Sequence, residues 1–324
     1  MHFVIQSFYM LYIWKFKRLT MNAIYVENLV KRYGDKKVLK KVNLKIEEGE
    51  FYALMGPNGS GKTTLVSIIA SVTSPTSGIV RIYERKKAKE LISYVPQENF
   101  SSPLLTGKEN LIYFGRLYGF SKNEAKKLAE NILKKIGLSE MSGERVLDYS
   151  GGMRKRLEVG TGFFPGTKIL ILDEPSTGLD PSARREFFGM LKEINEEGKT
   201  ILLITHIGED AELASRVGFI DEGRIIIENT PEKLKKRSGL KNVVNAETMI
   251  KSEKIANILR KFSENKKVLE TEKGYRVYCE DPEKEIPDIV RSLDKIGCKT
   301  MRIDAEKPSL EDVFFKLTEK SVIS

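Results

Sequence analysis

Two periodicities alternate along the chain. Short, unbroken apolar runs at Phe51–Met55, Ile169–Leu172 and Ile201–Ile204 read as strands buried on both faces. Elsewhere the apolar residues recur every three or four positions: Leu111, Ile112, Phe114, Leu117 and Tyr118, then Ala125, Leu128, Ile132, Leu133 and Ile136. These predict two amphipathic helices, the first opened by a capping box from Thr106 to Glu109, the second running from about Asn123 to Ile136 and ended by Gly137. Buried strands alternating with helices predict an α/β fold with a largely parallel sheet. Before the first buried run, Ile24–Val30 reads as a strand. Val38, Val42, Leu44 and Ile46 alternate with polar residues, as in a half-exposed antiparallel strand. Further strands are predicted at Ile79–Tyr83 and at Leu91–Val95, the latter stopped by Pro96, and a helix at Ser182–Asn195.

Beyond Gly239 the pattern changes to short strands and helices. Strands at Asn242–Met249, Lys267–Thr271, Gly274–Glu280 and Lys299–Asp304 are interleaved with helices at Ser252–Phe262 and Pro282–Ile296, and a last helix covers Ser309–Thr318. The order βαββαβ is that of a small α+β ferredoxin-like domain. The domain reading is therefore a leader at 1–20, a larger α/β domain at 21–238 and an accessory α+β domain at 239–324. The leader is apolar and aromatic up to Trp14, then basic at Lys15, Lys17 and Arg18. Either it is an interfacial anchor, or translation starts at Met21 and the leader is not made.

Composition narrows this picture slightly. A chain of 324 residues, 40% hydrophobic and 31% charged, has the material for two cores. The formal charge of +10 is spread along the chain rather than gathered into an aromatic-interleaved stripe, which argues against nucleic acid as a partner. No stretch has the ~18–20 apolar residues of a membrane span. Cys279 and Cys298 have no metal-ligand spacing and suit a reduced setting, with a disulfide between them left open.

The candidate chemistry sits where buried strands end. Phe51–Met55 runs into Gly56-Pro57-Asn58-Gly59-Ser60-Gly61-Lys62-Thr63-Thr64 and then an apolar helical stretch. Strand, glycine-rich turn and helix form a phosphate cradle. Gly56, Gly59 and Gly61 let backbone N–H groups face an anion, Lys62 reaches the β- and γ-phosphates, and the Thr63 hydroxyl can join Mg²⁺. Ile169–Leu172 ends in Asp173-Glu174, one carboxylate for the cation and one to orient or deprotonate water. Thr200–Thr205 delivers His206 to the same kind of strand end, as a γ-phosphate contact, and Gln97 follows Pro96 as a contact for Mg²⁺ or the attacking water. Tyr33, on a turn 23 residues before Gly56, is a candidate for stacking on adenine, or else a packing residue. Ser150-Gly151-Gly152 opens a helix and forms a second anion site. Arg154, Lys155 and Arg156 behind it make either a solvated basic face or a sign that an anion lies nearby.

Taken in order, these motifs resemble the nucleotide-binding subunit of ABC transporters over about 21–238. Walker A is 56–64, the glutamine loop is at Gln97, and the signature is Tyr149-Ser150-Gly151-Gly152-Met153. Walker B is 169–174, the D-loop is 176–180, and the switch histidine is His206. Tyr149 and Met153 stand where the family usually has Leu and Gln. Met153 with its basic followers looks like the drug- and polysaccharide-exporter branch, and Pro308–Phe314 resembles the end of many exporter ATPases. The resemblance implies a P-loop NTPase cassette with a mixed sheet core, an antiparallel β portion and a helical subdomain. Its cofactors would be ATP and Mg²⁺. It would form a head-to-tail dimer with a second copy of itself, in which Asn58, Thr64, Ser150–Gly152 and the D-loop Asp180 join the nucleotide site. A separate integral-membrane permease would hold it at the cytoplasmic face of the membrane. The alternative is a soluble ATPase of the same family acting on ribosomes or DNA; these usually carry two cassettes or a long coiled coil, and this chain has one cassette and no long heptad run. A regulatory or dimer-stabilising role is expected of the tail.

Overall fold

A computed structural model of the chain describes residues 21–85, 89–264 and 266–318; the leader lies outside them. The chain opens with an antiparallel hairpin of β1 (Asn22–Tyr33) and β2 (Lys36–Glu47). Val42, Leu44 and Ile46 alternate inward as the sequence predicts, but the alternation breaks at Lys41. This residue has φ +60°, and the pairing steps from Leu29–Val42 to Val30–Lys40. The bulge turns Leu39 rather than Val38 into the core, where it is fully buried.

Next come β3 (Phe51–Met55), the glycine-rich loop and α1 (Lys62–Ile69). β4 (Ser77–Ile82) returns to pair with β1, completing a three-stranded antiparallel sheet. It ends one residue earlier than the sequence predicts, because Tyr83 takes φ +47° in a turn. β5 (Ile92–Val95) is followed by α2 (Gly107–Leu117), α3 (Lys122–Lys135) and α4 (Gly151–Gly160). Both α2 and α3 begin with a complete capping box, Thr106 with Glu109 and Ser121 with Glu124. β6 (Ile169–Asp173), α5 (Pro181–Glu196), β7 (Thr200–Thr205), α6 (Gly208–Ala211), β8 (Arg216–Asp221), β9 (Arg224–Asn229) and α7 (Pro231–Ser238) follow.

The second sheet has the order β5-β6-β7-β3-β8-β9, parallel throughout except for the β8–β9 hairpin. Successive side chains on each buried strand point to opposite faces. Ala53, Met55, Leu170, Leu172 and Leu203 therefore join the core under the helices. Tyr52, Leu54, Ile169, Ile171, Leu202 and Ile204 join the core shared with the antiparallel sheet and α1. Two apolar faces explain the unbroken apolar runs. The parallel arrangement also brings the carboxyl ends of four adjacent strands, β5, β6, β7 and β3, to one edge.

The tail contains β10 (Asn242–Thr248), α8 (Glu253–Leu259), β11 (Val268–Glu270), β12 (Gly274–Cys279), α9 (Pro282–Asp294) and β13 (Thr300–Glu306). Its strands pair in the order β11-β12-β10-β13, all antiparallel, the interleaved order of a split βαβ unit. Cys279 and Cys298 are free thiols buried in its core.

The last helix, α10 (Leu310–Thr318), does not stay with that sheet. Leu310, Val313 and Phe314 are fully buried in the core of the first 238 residues, with the Phe314 ring edge-on to Phe219 at 5.4 Å. On its other side the buried Asp312 accepts from Arg276 Nε at 2.8 Å, Arg276 Nη2 at 2.7 Å and the Tyr278 hydroxyl at 3.0 Å. The helix pins the tail to the larger unit. Replacing Phe314 by Ala is expected to destabilise the chain by about 3–5 kcal/mol. Urea denaturation checks this; an unchanged midpoint would mean that α10 is dispensable for stability.

Candidate nucleotide-binding and hydrolysis site

The glycine-rich loop is wedged between β2 and the end of β8. A Cβ on Gly56 would stand 2.2 Å from the Ile220 carbonyl oxygen, so only glycine fits there. Gly61 has φ +105°, and a Cβ on it would stand 2.9 Å from Leu39 Cδ2. α1 starts at the next residue, Lys62. Its ammonium is buried at 5% exposure and donates to the carbonyl oxygens of Gly56 at 2.8 Å and Pro57 at 3.1 Å. Burial pushes its pKa down, and the nearby carboxylates of Glu174 and Asp173 oppose that shift.

Those carboxylates come from the end of β6, two strands away. Asp173 is 1% exposed, and burial pushes its carboxyl pKa up, against the hydrogen bond from Thr63. Its Oδ2 lies 3.4 Å from the Tyr94 hydroxyl, while Oδ1 is buried with no hydrogen-bond partner. Glu174 adopts φ +48°, a conformation that costs a non-glycine residue about 1–3 kcal/mol. The turn aims its carboxylate at three groups: His206 Nδ1 at 3.2 Å, Gln97 Nε2 at 3.4 Å and Lys62 Nζ at 3.7 Å. The imidazole of His206 beside it is the largest cause holding the Glu174 carboxyl below its ordinary range.

Asn58, Gly59, Gly61–Thr64, Gln97 and Glu174 line a cleft of about 610 Å³. Lys36, Lys37 and Lys40, from the β1–β2 hairpin, line it too. Sequence reasoning missed these lysines, although the Lys36-Lys37 pair just after the Tyr33 turn was visible. Tyr33 itself is not among the lining residues. It sits half-exposed at the end of β1 with Lys31 Nζ 4.8 Å from its ring centre.

Residues 39–177 match the ABC transporter family. The linearmycin resistance ATP-binding protein LnrL of Bacillus subtilis is 31% identical over 91% of this chain and 98% of that protein. The Nod factor export ATP-binding protein I of Burkholderia lata is 33% identical over 91% of this chain and 96% of that protein. A dimeric bacterial ABC transporter cassette superposes with a TM-score of 0.58 at 31% identity, covering 64% of this chain and 98% of that one. The chain belongs to the ABC transporter ATP-binding family. It is an ATPase and the ATP-driven subunit of a transporter.

The ABC signature lies apart from this cleft. Ser150 N-caps α4, its Oγ accepting from the Met153 N–H at 3.2 Å, and Ser150 and Gly151 are exposed. Gly152 packs against α5, where a Cβ would stand 2.9 Å from Ala183 Cβ. The unusual Tyr149 fills the space over Gly107 and donates from its hydroxyl to the Met141 carbonyl at 2.7 Å. Asp180, expected to join the nucleotide site, N-caps α5, accepting from Ser182 N at 2.9 Å and Ala183 N at 3.0 Å. These backbone bonds hold its carboxyl below the ordinary range.

Arg154 and Lys155 do not form a solvated basic face; they reach back to the glutamine loop. Lys155 Nζ donates to the Gln97 carbonyl at 3.0 Å, and Arg154 donates to Ser101 Oγ at 3.0 Å and the Ser101 carbonyl at 2.8 Å. Between them Glu158, with no exposed side-chain surface, accepts from Phe100 N at 3.1 Å, Ser101 N at 3.2 Å and Ser101 Oγ at 2.8 Å. The signature helix and the loop behind Gln97 are thus one hydrogen-bonded unit. Glu158→Ala would strand these donors and leave Lys155 poorly paired. It is expected to cost about 3–5 kcal/mol, read as a lower urea midpoint, together with faster amide exchange at Phe100 and Ser101. Unchanged protection at those amides would mean that the latch does not hold the loop.

Proposed function

We propose that the chain hydrolyses MgATP at this cleft to drive export through a separate integral-membrane permease, which holds it at the cytoplasmic face of the membrane. The observation that carries the reading is the Glu174 carboxylate clamped between Lys62, His206 and Gln97, beside the phosphate loop. Lys62, Asn58, Gly59, Gly61 and Thr64 hold the phosphates from the loop side, where backbone N–H groups meet the positive end of α1. The hairpin lysines that line the same cleft add positive charge. Glu174 takes the proton from the water that attacks the γ-phosphorus as ADP leaves. His206 keeps Glu174 ionised and contacts the γ-phosphate.

A divalent cation suits the remaining donors. The Thr63 hydroxyl, the Gln97 amide oxygen and Asp173 are hard oxygen ligands, and Asp173 Oδ1 is a buried acceptor with no protein partner. Among the described residues there is no cluster of three or more His, Cys, Asp or Glu that could hold a metal, so the phosphates would supply the other ligands. When bound, magnesium neutralises phosphate charge.

Two features support a shared site. Ser150 and Gly151 present an exposed helix N-terminus outside the cleft formed by Lys62, and the similar cassette structure is dimeric. The signature then meets the γ-phosphate of ATP held by a second copy, head to tail. Export is supported by the names of the relatives, one a resistance protein and one a Nod factor exporter, and by Met153 in the signature. No helix among the described residues is long and apolar enough to cross a membrane, which fits a partner that supplies the pore.

Glu174→Gln keeps the shape of the clamp but removes the proton acceptor. ATP affinity is expected to stay within about twofold while turnover falls roughly 10²–10³-fold, and dimer accumulates with ATP on size-exclusion chromatography. Hydrolysis at the parent rate would overturn Glu174 as the base.

A further inference from the structure

Two residues, His206 and Ile207, separate β7 from α6, and the first of them matters for chemistry. Thr205 ends the strand, His206 faces Glu174, and the Ile207 N–H donates to Thr205 Oγ1 at 3.0 Å. α6 then begins at Gly208, whose N–H donates to the carboxylate of Glu311 on α10. A Cβ on Gly208 would stand 2.0 Å from Glu311 Oε2, so a side chain there would push the carboxylate aside. Glu311 is also held from behind. Leu310, Val313 and Phe314 are fully buried, and the neighbouring Asp312 is tied to Arg276, Tyr278 and Ser309. On the far side of α6, Asp210 bonds the D-loop hydroxyl of Ser176 and Arg184 Nε, the latter at 2.7 Å. The short helix behind His206 is therefore gripped from the D-loop on one side and from the C-terminal helix on the other.

We propose that Glu311 is a positioning residue for hydrolysis. By fixing Gly208 it fixes the turn that presents His206 to Glu174, so that the last helix of the chain is part of the scaffold of the ATPase site. This rests on the reading of His206 as a γ-phosphate contact. Glu311→Ala frees the first N–H of α6 and lets the imidazole drift. Small displacements of a catalytic group are costly, whereas the phosphate loop, which does not touch Glu311, is unaffected.

The test is steady-state ATPase kinetics of the full chain with Glu311→Ala, Glu311→Gln, Gly208→Ala, His206→Ala and the double variant His206→Ala/Glu311→Ala. Glu311→Ala is expected to lower kcat roughly tenfold with KM for ATP within about twofold. Glu311→Gln, whose amide oxygen still accepts from Gly208, should recover most of the rate. Gly208→Ala, which displaces the carboxylate, should match Glu311→Ala. In the His206→Ala background, Glu311→Ala should have no further effect, the non-additivity of two residues acting through one contact. A loss that multiplies with that of His206→Ala, a parallel rise in KM, or a Glu311→Gln variant no better than Glu311→Ala would overturn the proposal. If His206→Ala alone turned over at the parent rate, the underlying role of His206 would fail instead. Should Glu311→Ala not fold, Glu311→Gln compared with Gly208→Ala decides the matter: equal rates would refute the role of the hydrogen bond.

Discussion

A lysine ammonium and two carboxylates held largely out of water at one edge of a parallel sheet constrain everything around them. Stripping an ion of water costs several kcal/mol even after relaxation, and the cost is offset only where partners are close and well aimed. Lys62, Asp173 and Glu174 meet that condition because β3, β6 and β7 are parallel neighbours whose carboxyl ends coincide. The loop before Lys62 cannot spread, since Gly56 lies against the Ile220 carbonyl. Glu174 cannot turn away without changing the φ of +48° that aims it. The strain at Glu174 is sustained by its backbone bond to Ile204 and by the ring of charges around its carboxylate.

The segments that surround these charges are tied mainly to helices, and this gives the site its mechanical character. The glutamine loop is latched to the signature helix through Glu158, Arg154 and Lys155. The D-loop is joined to α6 through Ser176 and Asp210, and α6 to the C-terminal helix through Glu311. A displacement of the signature helix would carry the backbone of Gln97 with it. A displacement of the tail would reach His206. Both ends of the hydrolytic clamp on Glu174 are in this way connected to surfaces far from it.

Much of this was legible in the sequence because it rests on local chemistry. Unbroken apolar runs mark strands buried on two faces, glycines mark the phosphate loop, and a strand that ends in Asp173-Glu174 announces the carboxylates. What the sequence hid depends on tertiary partners. The basic pair Arg154-Lys155 has the same composition whether it faces water or a buried Glu158. The amphipathic pattern of Leu310–Phe314 calls for a core without saying which one, and the helix crosses to the larger unit. The bulge at Lys41, which buries Leu39 in place of Val38, is set by pairing with β1 and has no signature in the strand's own alternation.

In the proposed dimer one copy carries only half of each working site: the phosphate loop comes from one chain and the signature from another. Gly151 is exposed, and a Cβ there would have its nearest neighbour at 3.9 Å, so Gly151→Asp places a repelling carboxylate at the signature without crowding the fold. Lys62→Ala disables the loop. Each variant alone should be inactive. In a head-to-tail pair of the two, one site carries both lesions and the other carries none. Mixing equal amounts should therefore restore ATPase activity to roughly a quarter of the parent rate. A mixture as inactive as its components would contradict the shared site.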